Sequence, residues 1–351
     1  MRLPERIVAS RPQRAGSRTV VVRDLAFRAE RRLTKEPSQL ELRQGRSVAR
    51  AFNGRRPPEL LVIGDSDMFW TSRRDEDRRH LSEVIRDELD PAIRIQTLCA
   101  ASYGPLMAMA FLDVLARCEH RPRLIVVPSS LQVAATTWLA HPVWGYARSA
   151  AAIRAAAQSG VWPEHLDPVA SSEWDAHDRL VIPSLEDRAL TVGEVRLVSN
   201  GSPRTPWQER VRLRTLLDYY MGERFTAQSP GIRLVAELGA LIAQLGVPAV
   251  AYAVPVDYEL MADLFGPSAR EHVAANASLM ASTFCDATGG LGAFVDATFE
   301  CAASEFTDPL HVDEAGRRRL GARIAEAGRR LLAAGDASGH GAAQASRAIV
   351  S

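Results

Sequence analysis

The most informative segment of the chain reads Leu60-Leu61-Val62-Ile63-Gly64-Asp65-Ser66. Its first four residues form a short apolar run, and the glycine, aspartate and serine that follow are typical of turns. An apolar run bounded by turn residues indicates a buried strand and a tight turn. The segment therefore predicts a buried strand with Ser66 just beyond its carboxyl end.

Helix and strand patterns alternate after this segment. Apolar residues at Leu81, Val84, Ile85 and Leu89 recur with helical spacing, and short apolar runs follow on both sides of further helical patterns. This alternation implies βαβ units and a largely parallel sheet. Strands are predicted at 60–63, 93–98, 124–127, 249–254 and 293–295, and helices at 75–89, 106–116, 207–220, 232–245, 258–265, 269–284 and 312–332.

Three regions depart from the alternation. Residues 1–58 are arginine-rich and weakly periodic, so we interpret them as an N-terminal extension, with a helical pattern at 20–33. Residues 59–332 form the α/β domain, which is interrupted at about 141–230 by irregular, tryptophan-containing sequence. This interruption predicts an inserted cap region that faces the substrate. The Ala-, Gly- and Ser-rich residues 333–351 are expected to be disordered.

The composition of the 351 residues limits the classes of function. A formal net charge of +1 gives no electrostatic reason to expect a nucleic-acid partner, and 46% hydrophobic residues suffice for a full core. No apolar run approaches the roughly 20 residues of a membrane span. Residues 1–18 lack the apolar middle segment of a secretory signal. We therefore expect a cytoplasmic protein.

The four cysteines, Cys99, Cys118, Cys285 and Cys301, show neither C-x-x-C spacing nor an adjacent histidine. This pattern predicts core or free thiols rather than disulfides or a zinc site. We expect no metal and no cofactor.

Ser66 follows its strand at the place where open α/β folds bind ligands, the carboxyl edge of the sheet. A helix that begins just after it would also direct its positive end at the hydroxyl. However, serine is a common helix N-cap and Gly-Asp-Ser is a common turn. The tripeptide alone therefore leaves a structural and a catalytic role open.

A second informative segment, Asp308-Pro309-Leu310-His311, lies near the carboxyl end. A serine hydroxyl is a poor nucleophile until a base removes its proton, and histidine is the usual base. The histidine needs an acidic neighbour that fixes its tautomer and stabilises the imidazolium. Asp308 lies three residues before His311 and can supply that carboxylate. Alone, this segment is equally compatible with a capping aspartate and a surface histidine.

Together, the two segments resemble the SGNH hydrolase superfamily, the GDSL-like esterases and acyltransferases. The first conserved block of that family corresponds to 62–67 and the last to 308–316. The resemblance implies an α/β fold, a flavodoxin-like three-layer sandwich with a central parallel sheet. It also implies a catalytic triad of Ser66, Asp308 and His311 that acts through an acyl-serine intermediate.

The resemblance also implies an oxyanion hole, built from the backbone N–H of Ser66 and from two inner blocks. Gly104 follows the second predicted strand and matches the glycine of one block. The other block normally supplies an asparagine after the third strand, and the resemblance places Ser130 there instead. Losing one oxyanion donor costs roughly 100- to 1,000-fold in turnover. The surrounding Trp138 and 141–144 resemble a branch linked to exopolymer O-acetylation.

Other polar and aromatic residues are weaker candidates. His141 lies near the third block and could line the pocket. Asp257 and Glu259 follow a strand and could contact a polar substrate, although capping the next helix is the alternative. Trp70 and Trp138 could form apolar or sugar-stacking walls, with core packing as the alternative.

These observations predict a serine-dependent ester hydrolase or O-acyltransferase. Its partners would be a small-molecule ester or acyl donor and, for transfer, an acyl acceptor; a small biosynthetic or carbohydrate-like substrate fits the resemblance best. The alternative is a catalytically degenerate binding module on the same fold, which the missing asparagine favours and the retained triad opposes. A flavodoxin-like nucleotide binder is disfavoured because no glycine-rich phosphate loop follows the first strand.

Overall fold

The central sheet has five strands, and every pair of neighbours is parallel. The structure is a computed structural model that describes residues 39–185, 190–201 and 205–348. The sheet strands are β1 (Leu60–Gly64), β2 (Ile95–Cys99), β3 (Leu124–Pro128), β6 (Ala249–Ala253) and β7 (Gly292–Asp296), in the order β2-β1-β3-β6-β7. This is the flavodoxin-like order, whose switch point lies between β1 and β3.

Helices cover both faces of the sheet because the side chains of its interior strands are apolar on both faces. Leu61 and Ile63 of β1 face one hydrophobic cluster, and Leu60 and Val62 face the other. The first cluster includes α1 (Gln39–Phe52), α3 (Pro105–Leu115), α10 (Pro230–Leu245), α11 (Tyr258–Phe265) and α12 (Ser268–Ala287). The second includes α2 (Leu81–Leu89) and α13 (Glu314–Ala348). The predicted α/β three-layer sandwich is confirmed.

Helix α2 begins six residues later than the pattern predicted. His80 is its N-cap, and the His80 backbone N–H donates to the Glu83 carboxylate at 2.8 Å. This bond from the N-cap backbone to the side chain in the first turn fixes the start of the helix. The preceding residues 75–80 form a loop instead, in which Asp75 pairs with the buried Arg317 of α13 at 2.9 Å.

The segment between β3 and α10, which covers the predicted insertion, adds no strand to the central sheet. It contains α4 (Leu131–Ala134), α5 (Thr136–Leu139), α6 (Ala147–Ser159), α7 (Ser171–Asp178), a hairpin of β4 (Val181–Ile182) and β5 (Leu190–Thr191), α8 (Val192–Asn200) and α9 (Pro206–Met221). Helix α6 packs on α1 and α3. The rest gathers around an aromatic cluster that includes Trp138, His141 and Trp144.

The structure describes the two ends of the chain to different extents. Residues 1–38, including the helical pattern at 20–33, lie outside the described residues. At the other end, helix α13 is assigned as far as Ala348, and the disorder expected over 333–351 stays a prediction. All four cysteines are free. No helix in the described ranges has the length and apolarity needed to cross a bilayer.

Candidate active site

Ser66 lies at the carboxyl end of β1, in a 3-10 turn that spans Ser66–Met68. Asp65 is the N-cap of this turn, and its Oδ1 accepts the backbone N–H of Asp67 at 3.2 Å. The strand can turn this tightly because Gly64 has no side chain: a Cβ there would lie 2.6 Å from the Cβ of Met68. The local sequence thus holds the Ser66 hydroxyl at the edge of the sheet.

Asp308 and His311 lie on a tight loop just before α13. The Asp308 Oδ1 accepts the backbone N–H groups of Leu310 at 2.8 Å and of His311 at 3.0 Å. The Thr307 backbone N–H donates to the His311 carbonyl at 2.8 Å. These bonds close the loop on itself, and they fix the carboxylate and the imidazole relative to each other.

The structure brings the three residues of the predicted triad together. His311 Nε2 lies 2.9 Å from Ser66 Oγ, and His311 Nδ1 lies 2.9 Å from Asp308 Oδ2. A continuous line of hydrogen bonds therefore runs from carboxylate through imidazole to hydroxyl. In the tautomer with the proton on Nδ1, the Nε2 lone pair accepts the hydroxyl proton, which is the arrangement needed to activate a serine.

Trp70 packs on the imidazole of this arrangement. Its ring stacks on His311, with centroids 4.3 Å apart and planes inclined by 15°. Its Nε1 donates to Thr307 Oγ1 at 3.2 Å, which ties the indole to the His311 loop. The sequence analysis considered Trp70 as a substrate wall or a core residue. The structure instead places it where it restrains the plane of the imidazole.

Three carboxylates control the charge of His311. Burial opposes its protonation, but the hydrogen bond and charge of Asp308, aided by Asp67 and Asp65, raise the pKa of His311 to about 9. Burial also raises the pKa of Asp65. Burial and the neighbouring charge of Asp65 hold the pKa of Asp67 well above its usual range. The site is therefore acidic in composition, with a protonated imidazole favoured at neutral pH.

The predicted oxyanion residues lie in different places. Ser130 is 4% exposed and borders the pocket beside Ser66, but its hydroxyl donates to Asp65 Oδ2 at 3.3 Å. Gly104 does not border that pocket. It is the N-cap of α3, where a Cβ would lie 2.8 Å from the Cβ of Val133, and it borders a second, smaller cavity.

Ser102, which the sequence analysis did not single out, takes the place at the pocket that we expected for Gly104. It borders the Ser66 pocket and has a φ of 65°, in the left-handed region. Glycine is the residue normally expected at such a φ. The loop after β2 therefore carried no residue-type signal that could have identified position 102.

The pocket beside Ser66 has a volume of about 520 Å³, which includes solvent at its mouth. Its polar lining contains serine hydroxyls, two carboxyl groups, the Gln132 amide and the His311 imidazole but no lysine or arginine, and its remaining walls are mostly apolar. The lining residues other than Ser66 and His311 are Asp65, Asp67, Ser102, Ser130, Leu131, Gln132, Val133, Met221, Val254, Pro255, Val256 and Leu310. Met221 ends α9, so the inserted region reaches the pocket.

The remaining candidates lie away from this pocket. His141 is buried, and its Nδ1 accepts the backbone N–H groups of Val143 and Trp144 at 3.1 and 3.0 Å. Burial lowers the pKa of His141 to about 3, so the expectation that it lines the pocket is replaced by a structural role. Asp257 caps α11 by accepting the Leu260 backbone N–H at 2.9 Å.

Glu259 and Trp138 also lie outside the lining of the Ser66 pocket. Glu259 is exposed in the first turn of α11. Trp138 is buried in the aromatic cluster and borders the second cavity.

Comparison with family models and with curated protein sequences finds no match. Among solved structures, the chain is similar to an M. smegmatis aryl esterase in an inhibitor-bound form. The match has 12% sequence identity and a TM-score of 0.33, and it covers 78% of this chain and 98% of the esterase chain. A similarity of this strength assigns neither a family nor an activity to the chain.

Proposed function

We propose that this protein is a serine-dependent esterase or O-acyltransferase of the SGNH type, acting through an acyl-serine at Ser66. The observation that carries the proposal is the line of hydrogen bonds from Asp308 through His311 to Ser66, with 2.9 Å at each step. These residues lie at the carboxyl edge of a parallel sheet and border a pocket, which is where ligands of open α/β folds bind.

In the acylation step, Ser66 Oγ attacks the ester carbonyl carbon while His311 Nε2 takes the hydroxyl proton. The carbonyl π electrons move onto oxygen, and a tetrahedral oxyanion forms. Asp308 stabilises the imidazolium through Nδ1–H. When the intermediate collapses, the bond to the leaving alcohol breaks and His311 returns the proton to that oxygen, leaving an acyl-serine.

In the second step the same residues act in reverse order. Water or an acceptor alcohol gives its proton to His311 Nε2 and attacks the acyl-serine, and Ser66 regains its proton as the acyl group leaves. The balance between hydrolysis and transfer depends on which nucleophile occupies the pocket. Because no lysine or arginine lines that pocket and its one basic group is His311, we expect a neutral, hydroxylated substrate, as a small biosynthetic or carbohydrate-like molecule would be.

For the oxyanion we propose the backbone N–H groups of Ser66 and Ser102. Both residues border the pocket, and Ser102 replaces Gly104 as the candidate from the loop after β2. The Ser130 hydroxyl is a weaker candidate because it donates to Asp65.

A non-catalytic binding module is the second candidate function. The SGNH family has an asparagine at the position of Ser130, and the lack of that asparagine favours a binding module. The hydrogen-bonded triad opposes it, because binding alone does not require a histidine 2.9 Å from a serine hydroxyl.

The experiment that separates the two functions is hydrolysis of p-nitrophenyl acetate by Ser66→Ala, His311→Ala and the double variant. We expect each single change to abolish turnover and the double variant to be little worse, because triad residues act as a unit. Asp308→Asn should lose up to ~10⁴-fold. Ser282→Ala and His120→Ala, at exposed positions, are matched controls. Full turnover by Ser66→Ala would exclude the proposed mechanism.

A further inference from the structure

The enclosed part of the Ser66 pocket is small. The volume of about 520 Å³ includes solvent at the mouth, and the space that the centres of water-sized groups can occupy is about 30 Å³. One water needs roughly 10–15 Å³ of such space, so the pocket has room for the equivalent of roughly two or three waters. A substrate group that is buried beside Ser66 is therefore short.

Met221, the last residue of α9, belongs to the wall of this pocket. It is 7% exposed and lies in the first hydrophobic cluster. That cluster also includes the pocket residues Leu131 and Val256, and Leu310 of the pocket packs against it. The apolar wall around Met221 suits the hydrocarbon part of an acyl group and disfavours a polar acceptor, which would lose its hydration there.

The backbone of Met221 is held from two sides. The Met221 carbonyl accepts a hydrogen bond from His272 Nε2 of α12 at 2.9 Å. Two residues further on, the Glu223 carboxylate accepts the backbone N–H and the hydroxyl of Thr136 at 2.6 and 2.7 Å. The Asn276 side-chain amide donates to the Glu223 carbonyl at 2.8 Å. A longer acyl chain cannot displace this end of α9 without breaking these bonds.

We propose that Met221 sets the length of the acyl group that Ser66 accepts, and that it limits this group to about two carbons. This rests on the function proposed above. An acetyl group has three heavy atoms, which matches the enclosed space, whereas a butyryl group has two more. When the ester carbonyl carbon lies at Ser66 Oγ, the end of a butyryl chain meets the Met221 side chain.

The test is the ratio of kcat/KM for p-nitrophenyl butyrate to that for p-nitrophenyl acetate in each protein. We expect the wild type to prefer acetate. Met221→Ala removes Cγ, Sδ and Cε and should raise the ratio roughly fifteen-fold, the effect of burying two methylene groups at about 0.8 kcal/mol each. Met221→Val removes less of the side chain and should raise it less, by roughly four-fold.

Met109→Ala is the matched control. Met109 is 2% exposed and lies in the same hydrophobic cluster, but it does not border the Ser66 pocket. The control removes the same atoms from the core and should keep the wild-type ratio. Urea unfolding shows whether each variant is folded, and the ratio is independent of the amount of active protein. If Met221→Ala does not fold, the Met221→Val ratio decides.

A wild type that hydrolyses butyrate as fast as acetate would overturn the length limit. An unchanged ratio in the folded Met221 variants, or an equal rise in Met109→Ala, would overturn the assignment to Met221. In each of these cases, turnover that requires Ser66 leaves the proposed function standing. If neither ester is turned over in a Ser66-dependent way, the proposed function fails and this inference fails with it.

Discussion

Three contacts set the properties of His311. The Asp308 carboxylate bonds Nδ1, the Ser66 hydroxyl lies on Nε2, and the Trp70 ring covers one face. The carboxylate and the aromatic face both favour the imidazolium form. A base that must first lose a proton is poorly matched to neutral pH, because general-base catalysis is most efficient when the pKa lies near the working pH.

We therefore predict an alkaline activity profile. Only the neutral imidazole can accept the Ser66 proton, and the pKa of His311 is raised to about 9. The value of kcat/KM for p-nitrophenyl acetate should accordingly rise with pH from 6 and level off only above about 9. Measurement between pH 6 and 10, corrected for spontaneous hydrolysis, checks this. A plateau already reached at pH 7 would contradict the raised pKa.

Trp70 should act as a positioning residue for His311. Trp70→Leu removes the stacked ring and its stabilisation of the imidazolium, worth about 0.5–1 kcal/mol. The rising limb of the pH profile should therefore move to lower pH by about half a unit. Maximal kcat should also fall, because the imidazole is less restrained. Trp207→Leu, at an indole that is 70% exposed, is the control, and an unshifted Trp70→Leu profile would mean that the stacking has no electrostatic effect.

Ser130 offers a test of the oxyanion assignment. Its hydroxyl donates to Asp65 at 3.3 Å, so Ser130→Ala should reduce kcat/KM for p-nitrophenyl acetate by far less than the roughly 100-fold cost of a lost oxyanion donor. Ser130→Asn introduces an amide at this edge of the pocket and should raise hydrolysis, by up to roughly the same factor. A 100-fold loss in Ser130→Ala would show that the hydroxyl turns towards the substrate during turnover.

At the scale of elements, the start of α13 organises the loops around the site. Arg317 is 2% exposed, bonds the Asp75 carboxylate at 2.9 Å and lies 3.5 Å from the Trp70 carbonyl. The loop that carries Trp70 is thereby joined to the helix that follows His311. A buried ion pair of this kind is strongly destabilising to break, because it leaves a charge uncompensated.

Helix α1 carries a buried acid that should make stability depend on pH. Glu41 is 4% exposed, and burial raises its pKa from 4.5 to about 7. Tyr103 and Tyr146 lie near it, and burial followed by the charge of Glu41 raises the pKa of both phenols. The neutral acid is thus favoured in the folded state. The contribution of Glu41 to the free energy of unfolding is therefore most favourable below pH 4.5, and it is lost as the pH rises through about 7.

Glu41→Gln should remove this dependence. At pH 8 the variant should be more stable than the wild type, by up to about 3 kcal/mol, whereas near pH 4.5 the two should be nearly equal. Urea unfolding of both proteins at several pH values measures the difference. A constant difference across that range would show that Glu41 ionises in the folded protein as easily as in the unfolded one.

At the scale of the whole molecule, the parallel sheet could be predicted from the sequence because its interior strands are short apolar runs separated by helical patterns. The candidate residues Ser66, Asp308 and His311 could be predicted because each lies beside one strand or helix that the local sequence indicates.

The rest of the site depends on contacts between distant segments. Ser102 rather than Gly104 borders the pocket. Its backbone has a left-handed φ, which a serine in the sequence does not predict. The stacking of Trp70 on His311 joins two loops whose proximity only the folded sheet creates. His141 was expected near the pocket from its place in the chain, but two backbone N–H groups hold it inside the aromatic cluster.

Covalent labelling tests the central claim, that Ser66 is an activated nucleophile, most directly. The full-length protein is treated with a fluorophosphonate probe at pH 9 and the adduct is located by mass mapping, with His311→Ala and Ser282→Ala treated in parallel. We predict a single adduct on Ser66 in the wild type and in Ser282→Ala, and none in His311→Ala. Folded wild-type protein that remains unlabelled at Ser66, or that labels equally without His311, would contradict it.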